Sequence, residues 1–539
     1  MASNNIEHSI HEVPLEDHVG TGDKHEKHLG HNDEVNVFNS AVEEGNDGLK
    51  QRHVTSHGHG LSQHEKDLEL LENAERIDLS QVDPAILKRI VWKIDLVLMP
   101  CMMLCEFFQF LDKSSISYAK LFGIEKATGM HGQEFAWLGS IFYIGYLFWQ
   151  PFAAFLLVRI PVKWHLTFIV CLWGVILGSM AACKNFASLA ALRFLLGMAE
   201  SAMIPLLGTI TGMFYTREEQ ATRVGIWFGS VGPSQIIGGL IAYGMYSLKS
   251  TVIQQWQFIF VLLGPVTFAF GCYIGLVVPA SPASAWFLTP QERLIALERI
   301  RANKTGTATT HFKWNQVYQA FVDPRIYLAA LSVLCASIPN GGISSFGATI
   351  IAGFGFDTKE TTLLGMSTGV SETVAMLVAV LLSRRLKMRA LPAIICICVA
   401  IIGAILMVGT HNKNAQFTGY CLIFWWATGQ MMFIPLMQSM VAGHTKRSMF
   451  YALYQIGYSA GNVVGAQIYR AKDAPHYIPA KIAILVTITL HAATMGMIAL
   501  LHKYWNTRNA KRTEQVFEEE NIEFKDRTDK EIPSFVYPY

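Results

Sequence analysis

From Asp95 onward the chain repeats one pattern: a run of about 20 predominantly apolar residues, then a short break of charged residues, glycine or proline. A run of that length matches the hydrocarbon thickness of a bilayer. A helix satisfies its own backbone hydrogen bonds there, so the pattern demands a bundle of spanning helices. Twelve spans are predicted, at 94 to 118, 134 to 158, 164 to 183, 187 to 214, 222 to 247, 256 to 279, 326 to 352, 361 to 383, 390 to 410, 416 to 441, 447 to 470 and 479 to 502. Composition agrees, because only 16% of the 539 residues are charged, against about 25% in soluble domains. The expected fold class is all-α polytopic membrane protein, with twelve transmembrane helices in two six-helix halves.

The net charge of +2 hides a division, since residues 1 to 85 hold 18 Asp and Glu against 6 Lys and Arg, leaving the remainder basic. We read 1–85 as a disordered, acidic, His-rich cytosolic tail, 86–280 as the first six-helix half, and 281–325 as a cytosolic linker with a surface helix from Pro290. Residues 326–505 form the second half and 506–539 a cytosolic C-terminal tail. Lys and Arg concentrate in the loops that are internal when both termini are cytosolic. The first thirty residues are polar, so insertion is expected to begin at the first span. The nine cysteines all fall in apolar runs and are expected to be buried and reduced.

Ionised side chains inside a spanning helix are costly, and each asks for a partner or a role. Arg193 and Glu200 lie seven residues apart in span four, on one helix face and about 10 Å apart along the axis. Asp112 and Lys113 close span one, either as a functional pair or as groups snorkelling to the interface. Glu106 lies two turns before Lys113 and is either its ion-pair partner or a substrate contact. Glu372 stands alone in span eight. Tyr146, Gln235, Asn340, Gln430 and Asn462 are polar groups placed to line a cavity or to bond between helices. Lys93 and Asp95 are expected at the cytosolic interface, Asp95 favoured by the dipole at a helix N-terminus.

Several local patterns resemble the major facilitator superfamily, and within it the fungal allantoate permease family of anion:cation symporters. They are Trp92-Lys-Ile-Asp95, Leu111-Asp-Lys113, Arg193-Phe-Leu-Leu-Gly197-Met-Ala-Glu200 with Pro205, Arg217-Glu-Glu-Gln-Ala-Thr-Arg223, Pro282-Ala-Ser-Ala-Trp-Phe-Leu-Thr289, and the ending Asp526-Arg-Thr-Asp529 through Phe535-Val-Tyr537. A weak internal echo, Met203-Ile-Pro205-Leu206 against Phe433-Ile-Pro435-Leu436, fits the repeated halves of such carriers. The loops after spans two and eight depart from the superfamily pattern, reading Val158-Arg-Ile-Pro-Val-Lys163 and Ser383-Arg-Arg-Leu-Lys-Met-Arg389. The resemblance implies the major facilitator fold, proton-coupling roles for Asp112, Arg193 and Glu200, anion capture by Lys113, and substrate positions near Tyr146 and Gln235. It also implies a solute of the allantoate, ureidosuccinate, vitamin-carboxylate or cysteine class, the flavour of spans one and four leaning to the cysteine-type branch.

The expected function is a proton-coupled symporter of a small anionic or amino-acid-like solute, monomeric, in the plasma membrane. It needs no cofactor, metal or nucleic acid. A uniporter or exchanger of the same solutes and a non-transporting nutrient sensor are the alternatives. Gly457-Tyr-Ser459-Ala-Gly461 fits a hydrolase elbow on paper, but it falls inside an apolar helix where glycines serve close packing, so an enzyme is not expected. His25, His28 and His31 have metal-compatible spacing but lie in a solvated tail. Asn303-Lys-Thr305 is a glycosylation pattern on the wrong side of the membrane.

Overall fold

The structure, a computed structural model, describes Leu79 and residues 82–248, 252–301, 313–386, 388, 390–513, 527–532 and 535–538. The expected tail at 1–85, its histidines and Asn303 lie outside the described residues, apart from Leu79 and 82–85. Among the described residues every regular element is helical.

The first half comprises α1 (Pro84–Leu121), α2 (Glu134–Arg159), α3 (Val162–Ser179), α4 (Phe186–Glu200), α5 (Met203–Phe214), α6 (Arg217–Phe228), α7 (Val231–Tyr246) and α8 (Gln255–Val277). Two linker helices follow, α9 (Pro290–Arg301) and α10 (Trp314–Phe321). The second half comprises α11 (Pro324–Ala352), α12 (Thr358–Leu386), α13 (Ala390–Gly409), α14 (Lys413–Ile423), α15 (Ala427–Met440), α16 (His444–Gln467) and α17 (Ile478–Thr513). The pairs α4/α5, α6/α7 and α14/α15 each make one broken crossing, giving six crossings per half.

Eleven of these crossings are long and apolar enough to span a bilayer. The twelfth, α16, is less apolar because it turns Gln455, Ser459 and Asn462 into the bundle interior rather than toward lipid, Asn462 accepting from Asn340 of α11. Its Gly457 and Gly461 sit against the Ala330 and Leu334 carbonyls of α11, where any side chain would collide. The glycine and serine pattern at 457–461 is therefore packing.

Two breaks follow from proline. Pro205 and Pro233 each stand third in a helix, where the ring excludes the carbonyl four residues earlier and supplies no N–H to it. The chain turns at Ser201–Ala202 and at Gly229–Ser230. The freed Ser201 carbonyl accepts from Gln150 Nε2 at 3.2 Å, and the Glu200 carbonyl from Gln109 Nε2 at 3.4 Å. Span four is thus not one continuous helix, and Glu200 ends its first piece.

Two other expectations change. Asp95 does not stand at a helix N-terminus, because α1 begins at Pro84 with Asp83 as its cap; Asp95 instead meets Arg223 at 3.0 Å. The cysteines are unpaired, but Cys272 and Cys398 are exposed on the outside of the bundle, the side that lipid would cover. Small apolar groups suit that surface as well as the interior.

The linker ties into both halves on one face. Lys93 meets Glu292 at 2.6 Å and Arg299 meets Glu219 at 2.5 Å, clamping α9 to the first half. On the second half, Arg325 contacts Asp323 at 2.6 Å and Asp529 at 2.5 Å, while Lys446 contacts the same two carboxylates at 2.9 and 2.7 Å. All four groups are fully buried. The C-terminal segment is held there by Asn506, whose side chain bonds the Tyr537 N–H and carbonyl at 2.8 Å each, with the Tyr537 ring 4.8 Å from the Arg325 guanidinium.

The halves meet toward the opposite face. There Ser140 donates to the Val463 carbonyl at 3.0 Å, the Ala348 N–H donates to Ser117 at 2.8 Å, and Phe135 packs edge-on against Phe346.

Candidate functional site: a buried charge cluster beside a cavity between the halves

The first half gathers five ionisable residues from two crossings. Glu106, Asp112 and Lys113 come from α1, Arg193 and Glu200 from α4. Glycine makes the closeness possible: Gly197 lies against the Phe142 carbonyl of α2, drawing α4 inward. Glu106, Asp112, Arg193 and Glu200 are at most 4% exposed.

Pairing within this cluster is sparse. Lys113 Nζ lies 3.5 Å from Glu200 Oε2, longer than a charge-assisted hydrogen bond at about 2.7–2.9 Å. Lys113 therefore reaches Glu200 across helices, and no ion pair with Glu106 forms among the described residues. Both Asp112 carboxylate oxygens, and Arg193 Nε and Nη2, are buried without a hydrogen-bond partner. So is Trp173 Nε1, which faces Asp112 without closing a bond. Asp112 is fully buried within the bundle, not snorkelling to an interface. Three carboxylates face two cations, and of the five only Lys113 is partly exposed.

A cavity lies beside this cluster, between the halves, lined from the first half by Ser114, Ser117, Tyr118 and Gln235, and from the second by Asn340, Thr368, Glu372, Tyr420 and Trp426 among others. Gln235 Nε2 donates to Glu372 Oε2 across the gap, and Thr368 Oγ1 donates to Gln235 Oε1 at 2.8 Å. Asn340 donates to Asn462 Oδ1 at 2.8 Å and stands 3.5 Å from the Tyr143 hydroxyl. Asn340 is thus the step between cavity and charge cluster.

The predicted residues therefore fall into three groups. Glu106, Asp112, Lys113, Arg193 and Glu200 come together; Gln235, Asn340 and Glu372 line the cavity. Tyr146, Gln430 and Asn462 are not part of its lining. Tyr146 packs 5.9 Å from Tyr458, Gln430 donates to Ser337 at 3.1 Å, and Asn462 donates to the Tyr458 carbonyl at 2.8 Å. Sequence reading missed Gln109, Tyr143 and Trp173. Gln109 lies one turn before Lys113, a spacing that could have revealed it; Tyr143 and Trp173 carry no signal separating them from ordinary aromatic core.

A two-half helical bundle with an internal polar cavity and intramembrane charges defines a membrane transporter. Residues 102–466 match the family model described as Major Facilitator Superfamily. An uncharacterized transporter of Schizosaccharomyces pombe is 36% identical over 86% of this chain and 91% of its own length. The thiamine pathway transporter of Saccharomyces cerevisiae is 32% identical over 95% and 98%, and the allantoate permease of the same yeast 33% identical over 87% and 89%. Among solved structures, a bacterial homolog to the human lysosomal transporter Spinster, inward-facing and unoccupied, superposes with a TM-score of 0.56 at 14% identity, covering 74% of this chain and 95% of that one. The chain belongs to the Major Facilitator Superfamily and groups there with the fungal allantoate permease family; it is a transporter, not an enzyme.

Proposed function

We propose that this protein is a proton-coupled symporter of a small organic anion or amino-acid-like solute, working as a monomer in the plasma membrane with both termini in the cytosol. One observation carries the coupling: Asp112 is buried with neither carboxylate oxygen hydrogen-bonded, in a cluster where carboxylates outnumber cations. Leaving such a group ionised in a dry site is costly, and a proton balances it. Protonating Asp112 or Glu200 frees Arg193 or Lys113 to attract an anionic group. Proton and solute then bind cooperatively, since each lowers the cost of burying the other. The names of the yeast relatives, an allantoate permease and a thiamine pathway transporter, support a small organic solute.

The test is uptake into vesicles with and without an imposed pH gradient. Wild type accumulates solute uphill only with the gradient. Glu200→Gln, whose amide imitates a carboxylate that cannot release its proton, retains solute binding and loses uphill accumulation. Equal accumulation by wild type without a gradient points to a uniporter or exchanger. Full gradient-driven accumulation by the variant removes Glu200 from the coupling.

A further inference from the structure

The cavity has a chemistry that the neighbouring charge cluster does not account for. Among its lining residues Glu372 is the one acidic side chain, and no Lys, Arg or His joins it. Glu372 is 3% exposed, and among the described residues its bond from Gln235 is its sole polar contact. Thr368 fixes Gln235 in turn, so one carboxylate oxygen is held in place while the other is left for something else. Tyr118, Tyr420, Phe424 and Trp426 line the same cavity, with the Tyr420 and Phe424 rings edge-to-face at 5.5 Å. Aromatic ring faces carry negative potential and attract cations. A buried carboxylate without a counter-ion is costly to ionise, and an ammonium group arriving among these aromatic walls offsets that cost, which a free carboxylate cannot do.

We infer that Glu372 and this aromatic wall form a subsite for the cationic nitrogen of the solute, so that the carrier takes an amine-bearing, amino-acid-like zwitterion in preference to a simple carboxylate. The inference rests on the reading that a small solute passes through this cavity, and it narrows that reading. The ammonium sits at Glu372 and the rest of the solute faces the other polar lining groups, Asn340 among them. Gln235 acts as the positioning residue for Glu372. The contact from Gln235 also joins the halves, so an ammonium arriving at Glu372 acts on the same groups that hold them together.

The test uses the purified full-length protein in lipid nanodiscs and reads ligand-induced thermal shifts. Matched probes differ only in the amine: L-cysteine against 3-mercaptopropionate, and β-alanine against propionate. For wild type, the amine-bearing member of at least one pair gives half-maximal shift at a concentration about tenfold lower than its partner, the size of one charge-assisted contact. Glu372→Gln abolishes that preference. Tyr420→Leu weakens it and Tyr420→Phe, which keeps the ring face, restores it; this second series holds if Glu372→Gln fails to fold. Equal responses within each pair, a preference that survives Glu372→Gln, or no shift with any amine-bearing probe overturns the inference. Uptake of 3-mercaptopropionate or propionate without amine preference would sink the subsite while leaving the carrier reading standing. Absence of solute accumulation alongside an intact amine preference would do the reverse.

Discussion

Two clusters of buried charge in this molecule obey opposite rules. On the linker face of the second half, Asp323, Arg325, Lys446 and Asp529 form a closed square in which each cation touches both carboxylates within 2.9 Å. In the first half, Glu106, Asp112, Arg193 and Glu200 are nearly as hidden and Lys113 is largely so, yet the five share one ion pair at 3.5 Å. The square is electrically neutral and geometrically saturated, which suits a joint that ties the C-terminal segment to α11 and α16. The other cluster is short of both cations and hydrogen bonds, as a site must be if its missing partners arrive from outside. Burial alone does not separate structure from function; the completeness of pairing does.

That contrast can be broken most forcefully at Arg325. Arg325→Met leaves two buried carboxylates with a single lysine between them, and removing one partner of a buried pair costs about 3–5 kcal/mol. Thermal unfolding in detergent should show this loss, together with poor surface expression. A variant with near wild-type stability would mean the square is not a structural joint.

Lys113→Gln should cost less, about 1–3 kcal/mol, because it strips Glu200 of a long contact only. Adding Glu200→Gln should restore expression and leave uptake absent. Adding Glu106→Gln should restore less, since Glu106 is not the lysine's partner. Recovery of uptake in the Lys113/Glu200 double variant would show that neither charge takes part in transport.

Acid should act on the saturated cluster in a defined direction. Burial would raise the Asp323 carboxyl, but hydrogen bonds and charge from Arg325 and Lys446 outweigh it and hold the group well below the usual carboxylate range. The folded value lies below the unfolded one, so this stabilisation is complete above about pH 4 and is lost as the pH falls through the folded value. Melting temperature followed from pH 7 downward should fall at the acid end, and Asp323→Asn should flatten that part of the curve.

The smallest effect is expected at Glu292. Burial pushes its carboxyl up, but the hydrogen bond from Lys93 and those from Thr289 prevail and lower it. The pair lies near the surface, so Glu292→Gln should cost under about 1 kcal/mol. A larger drop in melting temperature would make the α9 clamp a principal element of the fold.

Much of the architecture was legible because membrane burial leaves a one-dimensional record. Apolar runs of spanning length marked every crossing, and Lys113, Arg193 and Glu200 stood out as charges where charge is expensive. Less legible were the partners. Lys113 had Glu106 two turns away on its own helix, yet it meets Glu200, on another crossing. Asp95 looked like a dipole-stabilised residue until Arg223 was found beside it. Asp529 lay in a recognisable C-terminal pattern, but nothing in that pattern pointed to Arg325, 204 residues earlier.

The sequence by itself determined how many times the chain crosses and which helices carry charge, because each of these depends on residues within a turn or two of one another. The breaks before Pro205 and Pro233 were not read from it, since Pro100, Pro151, Pro265, Pro339 and Pro435 stand inside continuous helices. Only the tertiary structure decided which charges are satisfied and which are left wanting. Pairing is set by distances of a few ångströms between helices far apart in the chain, and those distances depend on close approaches such as Gly197 against Phe142. It also decided that Glu372 faces a cavity walled by aromatic rings from one crossing of each half, because the cavity belongs to the gap between helices rather than to any one of them.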